Sequence, residues 1–441
     1  MKYSLYQTPP GRVTLLASIQ WLIVTLSSSI AVPIVIGEAY GLTEAATAVF
    51  IQQTLFYIGV ASFIQVWIGH RYPMMEAPAG LWWSIFIILS QIGVSMGLAP
   101  QEIGQSFQLG MVISGVIFLV LGLTKSISSL QRLFTPAVTG TYMVLLAVSL
   151  AANFISGMLG VGINNSTTVV PGIALASIAI ITIVLVCLRI KALASYAVLI
   201  GMLAGWALYA ALGWTQPVRE ATALITMPQL FFWGPFHWNL GIVVTCVLTS
   251  LILLTNLITS VAVIGIATDK KAESKEFDRG GIFTGVSHFV SGFSGVVGMI
   301  PLTLAAAVVQ TTKIASRLPF MIAMILMMLI GIFPSISNLL ATLPTPVAYA
   351  AMFVAYSQIL GFGLRDLKRL DFDERNIIVV GSSLLLGIGL MFLSPGAWVE
   401  MYPMFSFLFS NGLLVGVIVS LLLEHVIYRK PREEKRDESA R

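Results

Sequence analysis

Apolar residues run along the chain in long, nearly uninterrupted stretches separated by short polar turns, with little of the alternation that marks half-buried strands or surface helices. Fourteen such stretches can be placed, near 14–36, 44–68, 80–96, 106–123, 136–154, 171–188, 194–213, 239–266, 281–297, 302–312, 318–333, 342–363, 376–394 and 404–428. Since about 20 mostly apolar residues cross a bilayer as a helix, the pattern predicts an all-α membrane protein of fourteen spans. Two stretches are irregular. The tenth, 302–312, is too short to cross alone, and the third opens in Pro73-Met74-Met75-Glu76-Ala77-Pro78-Ala79-Gly80, which a continuous helix does not tolerate.

The distribution of charge tests the count. Placing alternate loops in the cytoplasm, with residues 1–13 inside, puts 23 of the 24 Lys and Arg on that side and leaves only Arg219 outside. One span more or fewer would invert every later loop. The expected arrangement is a multi-pass protein of the cell membrane with both termini cytoplasmic, the last being the charged tail 429–441. The +5 net charge therefore reports orientation and not a nucleic-acid partner, because the basic residues form no aromatic-interleaved patch. Only 10% of residues are charged, against about 25% in soluble domains, so lipid is a large part of the solvent. Cys187 and Cys246 lie in apolar runs with no metal or redox spacing, and nothing at the N-terminus has the form of a cleaved signal peptide.

Fourteen spans divide into two sets of seven, and an odd number per set makes the halves inverted repeats. A shift of 228 residues lays Ile30–Gly37 on Ile258–Gly265 with four of eight positions identical, and the same symmetry pairs the two irregular segments, spans 3 and 10. Broken helices at matching positions of inverted halves point to a transporter's binding site, because irregular backbone at membrane depth is tolerated where it is buried or lines a cavity. Candidate chemistry gathers there. Glu76 is a possible proton-coupling carboxylate, set against the alternative of an interfacial residue beside His70 and Arg71. Gln20 in span 1 and Asn256 in span 8 carry amides with donors and acceptors, and Ser260 shares Asn256's helical face. Trp21, Trp82 and Trp83 can stack on a planar ring, although aromatic packing accounts for at least two of them. His288 and His425 read as packing residues, and His70 and His237 as loop or interface residues. No nucleotide loop, metal cluster or nucleophile–base pair supports enzyme chemistry.

These features resemble the xanthine/uracil permease type of nucleobase–cation symporter, the nucleobase–ascorbate transporter family. Gln20 followed by Val32-Pro33, Leu133-Phe134-Thr135-Pro136-Ala137-Val138-Thr139-Gly140, Ser316-Arg317, Gly331-Ile332-Phe333-Pro334, Leu343-Pro344-Thr345-Pro346-Val347 and Asp373-Glu374-Arg375-Asn376 are similar to its motifs and occur in its order. The resemblance implies a core domain, 14–123 with 239–333, and a gate domain, 136–213 with 342–428, with short extended strands in spans 3 and 10. It implies a secondary active transporter of a nucleobase-like substrate such as a purine, xanthine or uracil, working by alternating access, commonly as a homodimer, with a proton or sodium as coupling ion and no other cofactor. The substrate would lie between spans 3 and 10, near Gln20, Ala79, Gly80, Asn256, Ser260, Leu302, Thr303 and Leu304. Several family positions differ: the span 1 His is Trp21, the span 3 Ser and aromatic residues are Ala79 and Gly80, the span 8 carboxylate falls on Asn256 and the span 10 carboxylate on the Leu302–Ala305 stretch, leaving Glu76 as the nearby acid. A carrier of an aromatic or inorganic anion without proton coupling, or a non-transporting receptor, is compatible with the same residues.

Overall fold

The computed structural model describes residues 1–130, 133–161, 167–190, 193–221, 223–398 and 403–429. Most of the expected tail, 429–441, and basic residues Arg132 and Lys191 lie outside the described residues. The first half contains α1 (Gly11–Ser29), α2 (Ala31–Ala39), α3 (Glu44–Trp67), β1 (Glu76–Pro78), α4 (Gly80–Ser95), α5 (Pro100–Leu123), α6 (Ile127–Leu130), α7 (Pro136–Leu159), α8 (Pro171–Arg189) and α9 (Ala197–Ala211). The second contains α10 (Leu240–Ala267), α11 (Ser274–Ser294), β2 (Met299–Pro301), α12 (Leu304–Thr312), α13 (Arg317–Ile330), α14 (Pro334–Ala341), α15 (Thr345–Leu367), α16 (Glu374–Met391), α17 (Pro403–Ser410) and α18 (Gly412–Leu422).

Among the described residues, eight helices are long and apolar enough to cross a membrane, or nine with α13 and α14 taken as one span bent by 82°. The protein is a multi-pass membrane protein. Three differences from the sequence reading have local causes. Helix α11 starts at Ser274 and not near 281, because the Glu276 carboxylate accepts the Glu273 N–H at 2.9 Å and caps the first turn. The last stretch is two helices, since the Asn411 side chain accepts the Leu414 N–H at 3.2 Å and begins α18 anew. Pro334 ends the run of α13 and opens α14 at its first position.

Helices approach closely where small residues recur. Gln108, Gly115 and Gly122 of α5 face Gly292, Gly285 and Asp278 of α11, each set spaced by seven. A Cβ on Gly115 would stand 2.8 Å from the Gly285 carbonyl oxygen, and one on Gly285 would stand 2.8 Å from that of Gly115. In a bilayer, lipid tails are as apolar as leucine, so such backbone contact supplies the dispersion that holds helices together. Helix α5 also lies against α10, while α3 and α1 lie against α13; separately, α7 lies against α15, α16 and α18, and α8 against α9 and α15.

Strands β1 and β2 pair antiparallel, Glu76 opposite Pro301, Ala77 opposite Ile300 and Pro78 opposite Met299. The ends are closed by Leu302 N–H to Met75 C=O at 3.0 Å and Ala79 N–H to Gly298 C=O at 3.4 Å. Pro78 and Pro301, which have no N–H, stand at the pair's opposite ends, where the missing donors cost least. The N-terminus is tied to the turns after α10 and α12, by Met1 to Asp269 at 3.0 Å and the Lys2 N–H to Lys313 C=O at 2.8 Å. The N-terminal segment therefore brings these two turns to one face of the protein.

Substituting Gly285→Ala should cost about 1–3 kcal/mol by overpacking and lower the midpoint of thermal unfolding in detergent. Gly381→Ala, with nothing within 4 Å of its Cβ, should leave the midpoint unchanged or raise it slightly.

Candidate substrate site

A cavity of about 310 Å³ lies where α10 and the β2–α12 junction face the start of α7 and the end of α15. From α10 it takes Thr255, Asn256, Thr259 and Ser260, polar residues gathered on one face of the helix. Ser260 Oγ donates to the Pro301 carbonyl at 2.8 Å, which pins the strand end to α10 and fixes Leu302 and Thr303 on the cavity wall. The Asn256 amide has no protein hydrogen-bond partner among the described residues, leaving donors and an acceptor for a ligand. Helix α12 begins at Leu304; the Ala305 and Ala306 N–H groups are taken by the Leu302 and Thr303 carbonyls at 3.3 and 3.0 Å, so among the described residues the N–H groups of Thr303 and Leu304 are the ones left without a backbone acceptor at this end.

The opposite wall comes from α7 and α15. Thr139 Oγ1 donates to Asp366 Oδ2 at 3.0 Å, and Arg369 Nη1 bonds Asp366 Oδ1 at 3.1 Å. Thr139, Tyr142, Asp366 and Arg369 were not legible as site residues: Arg369 reads as one more topological charge, and Thr139 as part of a Thr-Pro helix start. The signal available was their place at the ends of the expected spans 5 and 12.

Of the residues expected near the ligand, the structure brings Asn256, Ser260, Leu302 and Thr303 to this cavity. It places the others elsewhere. Leu304 is 38% exposed but does not line the cavity. Ala79 is buried where its N–H meets Gly298, and the Gly80 carbonyl accepts from Ser84 Oγ at 2.6 Å and Tyr356 Oη at 3.2 Å. Gln20 faces the Tyr196 hydroxyl on the segment leading into α9. Glu76 is buried behind β1, facing His70 Nε2 at 3.6 Å. All three tryptophans are packed: Trp21 against Phe320, Trp83 against Tyr356 and Phe154, and Trp82 donating from Nε1 to His288 Nε2 at 2.6 Å.

A wider cleft of about 980 Å³ opens elsewhere, between the end of α2 and the ends of α8, α9 and α15, with Glu38, Tyr209, Trp214 and Thr345 on its walls. Away from both openings, Tyr356 Oη donates to the Gly80 carbonyl, Gln20 faces Tyr196, and the Leu199 N–H donates to Ser27 Oγ at 3.1 Å. Among the described residues no group of three or more His, Cys, Asp and Glu side chains could hold a metal ion.

Residues 12–396 match the xanthine/uracil permease model, described as "Permease family". Among curated proteins, the chain is 32% identical over 414 residues, covering 92% of it and 94% of the relative, to a protein of Bacillus subtilis (strain 168) provisionally named purine permease YwdJ. It is 24% identical to Uric acid permease PucK of the same organism, covering 96% of this chain and 97% of that one. Xanthine permease XanQ of Escherichia coli (strain K12) is also 24% identical, over 98% of this chain and 95% of that relative. Among solved structures, the transmembrane domain of the cyanobacterial bicarbonate transporter BicA superposes with a TM-score of 0.64 at 15% identity, covering 93% of this chain and 96% of that one. SLC26A9 gives a TM-score of 0.62 at 14% identity, over 92% of this chain and 65% of that one. With a family model matching from residue 12 to residue 396, the chain belongs to the xanthine/uracil permease family.

Proposed function

We propose that the protein is a secondary transporter for a purine-type nucleobase, bound in the cavity between Asn256 of α10 and the β2–α12 junction. The observation that carries the reading is the unpartnered Asn256 amide beside the N-terminus of α12. A nucleobase edge alternates N–H donors with carbonyl and ring-nitrogen acceptors, which the Asn256 amide and the backbone N–H of Thr303 complement. The cavity, about 310 Å³, suits one bicyclic ring. Three relatives bear names of purine, uric acid and xanthine permeases, which supports the same substrate class.

The proposed movement is alternating access. Spans 1–4 and 8–11 act as a core carrying the strand pair, and spans 5–7 and 12–14 as a gate, in two inverted sets of seven. The contacts Gly80–Tyr356 and Gln20–Tyr196, each joining a residue of the proposed core to one of the proposed gate, and the presence of two separate openings support this division. In it the cavity faces the cytoplasm, and the wider cleft the outside. A second reading, carriage of an anion, is favoured by Arg369 on the cavity wall and by the absence of a carboxylate from α10.

Uptake of radiolabelled purines, pyrimidines and bicarbonate into proteoliposomes separates the readings. Saturable purine uptake is expected, and saturable uptake of bicarbonate but of no nucleobase would replace it with the second. Asn256→Ala should raise the KM for the purine about tenfold, the loss of one hydrogen bond of about 1.4 kcal/mol. For orientation, Thr303→Cys in a background lacking Cys187 and Cys246 should react with an impermeant maleimide in inside-out vesicles and resist it in right-side-out ones.

A further inference from the structure

We propose that Glu76 and His70 form a proton-binding site behind the substrate cavity, in which Glu76 gains and loses the proton and His70 is its positioning residue. The geometry defines the role of each. His70 Nδ1 accepts the Tyr72 backbone N–H at 3.1 Å, so the neutral ring carries its own hydrogen on Nε2. That edge faces Glu76 Oε1 at 3.6 Å, within reach of a hydrogen bond after a small shift. Both side chains are 0% exposed, and His70 Nε2 and both Glu76 carboxyl oxygens make no hydrogen bond among the described residues. Gln65 and Ser62 beside the pair are committed. Gln65 Nε2 donates to the Gly280 carbonyl at 2.9 Å and to Thr284 Oγ1 at 3.0 Å, and its oxygen faces the His70 N–H at 3.3 Å. Ser62 Oγ accepts the Glu76 N–H at 2.8 Å.

The groups around the pair leave Glu76 as the one that exchanges. On its own segment stand Arg71 and Tyr72, whose ring lies 6.2 Å from that of His70. Arg317 at the start of α13 acts on His70 with its positive charge, and burial together with that charge keeps the imidazole neutral. Glu276 at the start of α11 acts on Tyr72. Further along α11, His288 is saturated, holding the Thr284 carbonyl with Nδ1 at 2.8 Å and accepting from Trp82 with Nε2. Strand β2, at Met299–Pro301, brings no titratable side chain.

A buried carboxylate with one distant donor is costly, and a proton on Glu76 removes the charge. When the strand pair moves and water enters, the Glu76 O–H breaks, the proton passes to water, and the carboxylate takes the His70 Nε2–H as its hydrogen bond. Because Glu76 stands opposite Pro301, which Ser260 ties to the cavity wall, the proton and the substrate act on the same strand pair. The link to substrate rests on the transport function proposed above; the proton site does not.

Infrared difference spectroscopy of the purified protein in lipid, titrated over pH without substrate, reads the site directly. The C=O stretch of a protonated carboxylic acid should titrate, and should be missing in Glu76→Gln. In His70→Phe its midpoint should rise by about one pH unit, the loss of one stabilising hydrogen bond to the carboxylate, and His70→Gln should restore most of it. In proteoliposomes, Glu76→Gln should keep substrate exchange and lose accumulation driven by a pH gradient. Absence of any Glu76-dependent band overturns the site, as does wild-type pH-driven accumulation by Glu76→Gln. A band that titrates in a protein that moves no nucleobase upholds the site and removes the transport reading alone.

Discussion

Two apolar segments are interrupted by short extended strands, and the arrangement depends on how their exposed backbone groups are satisfied. Hydrocarbon offers no hydrogen bonds, so an interrupted helix is stable there only if another segment supplies the partners. Here the two interruptions supply each other. Glu76–Pro78 and Met299–Pro301 form a two-stranded pair, and side chains from α3 and α10, Ser62 and Ser260, take up groups at its end. The segments on either side of β1 and β2 are held in place because their ends are tied to the same pair. The cavity and the buried acid are consequences of that pairing, one on each side of it.

Around this pair, charge is used sparingly. The cavity wall carries one balanced couple, Asp366 with Arg369, fixed further by Thr139. The other polar groups on the wall are neutral: an amide and hydroxyls beside the start of α12. Such groups discriminate by hydrogen-bond pattern, with little Coulombic attraction to offset a mismatch, and a site of this kind rejects an analogue that leaves its donors unpaired. Glu76 and His70, by contrast, are buried away from the cavity.

Close backbone packing explains how so apolar a chain acquires one structure. Hydrophobic burial does not separate one helix arrangement from another in lipid, so specificity comes from shape and from polar contacts between helices. The glycines of α5 and α11 permit a contact that a single methyl group would block, and Gln65, Gln108 and Trp233 bridge elements through their own hydrogen bonds.

Much of the fold was legible because its cause is local. Runs of apolar residues register the thickness of the bilayer, and prolines at 73, 78 and 301 mark where a helix cannot continue. The polar stripe of α10 announced Asn256 and Ser260, since a helix of leucine and isoleucine has no local reason to carry amides and hydroxyls along one face. Tertiary structure decided the rest. Glu76 stands only six residues from His70, but their facing geometry follows from a turn and from pairing with a strand more than 200 residues away. Thr139 and Asp366 are 227 residues apart and carry no signal of each other, and Gln20 is drawn to Tyr196 and not to the cavity. Periodicity and composition record a residue's relation to lipid and to its own helix; its relation to a ligand is set by which helices meet, and that depends on packing among all of them.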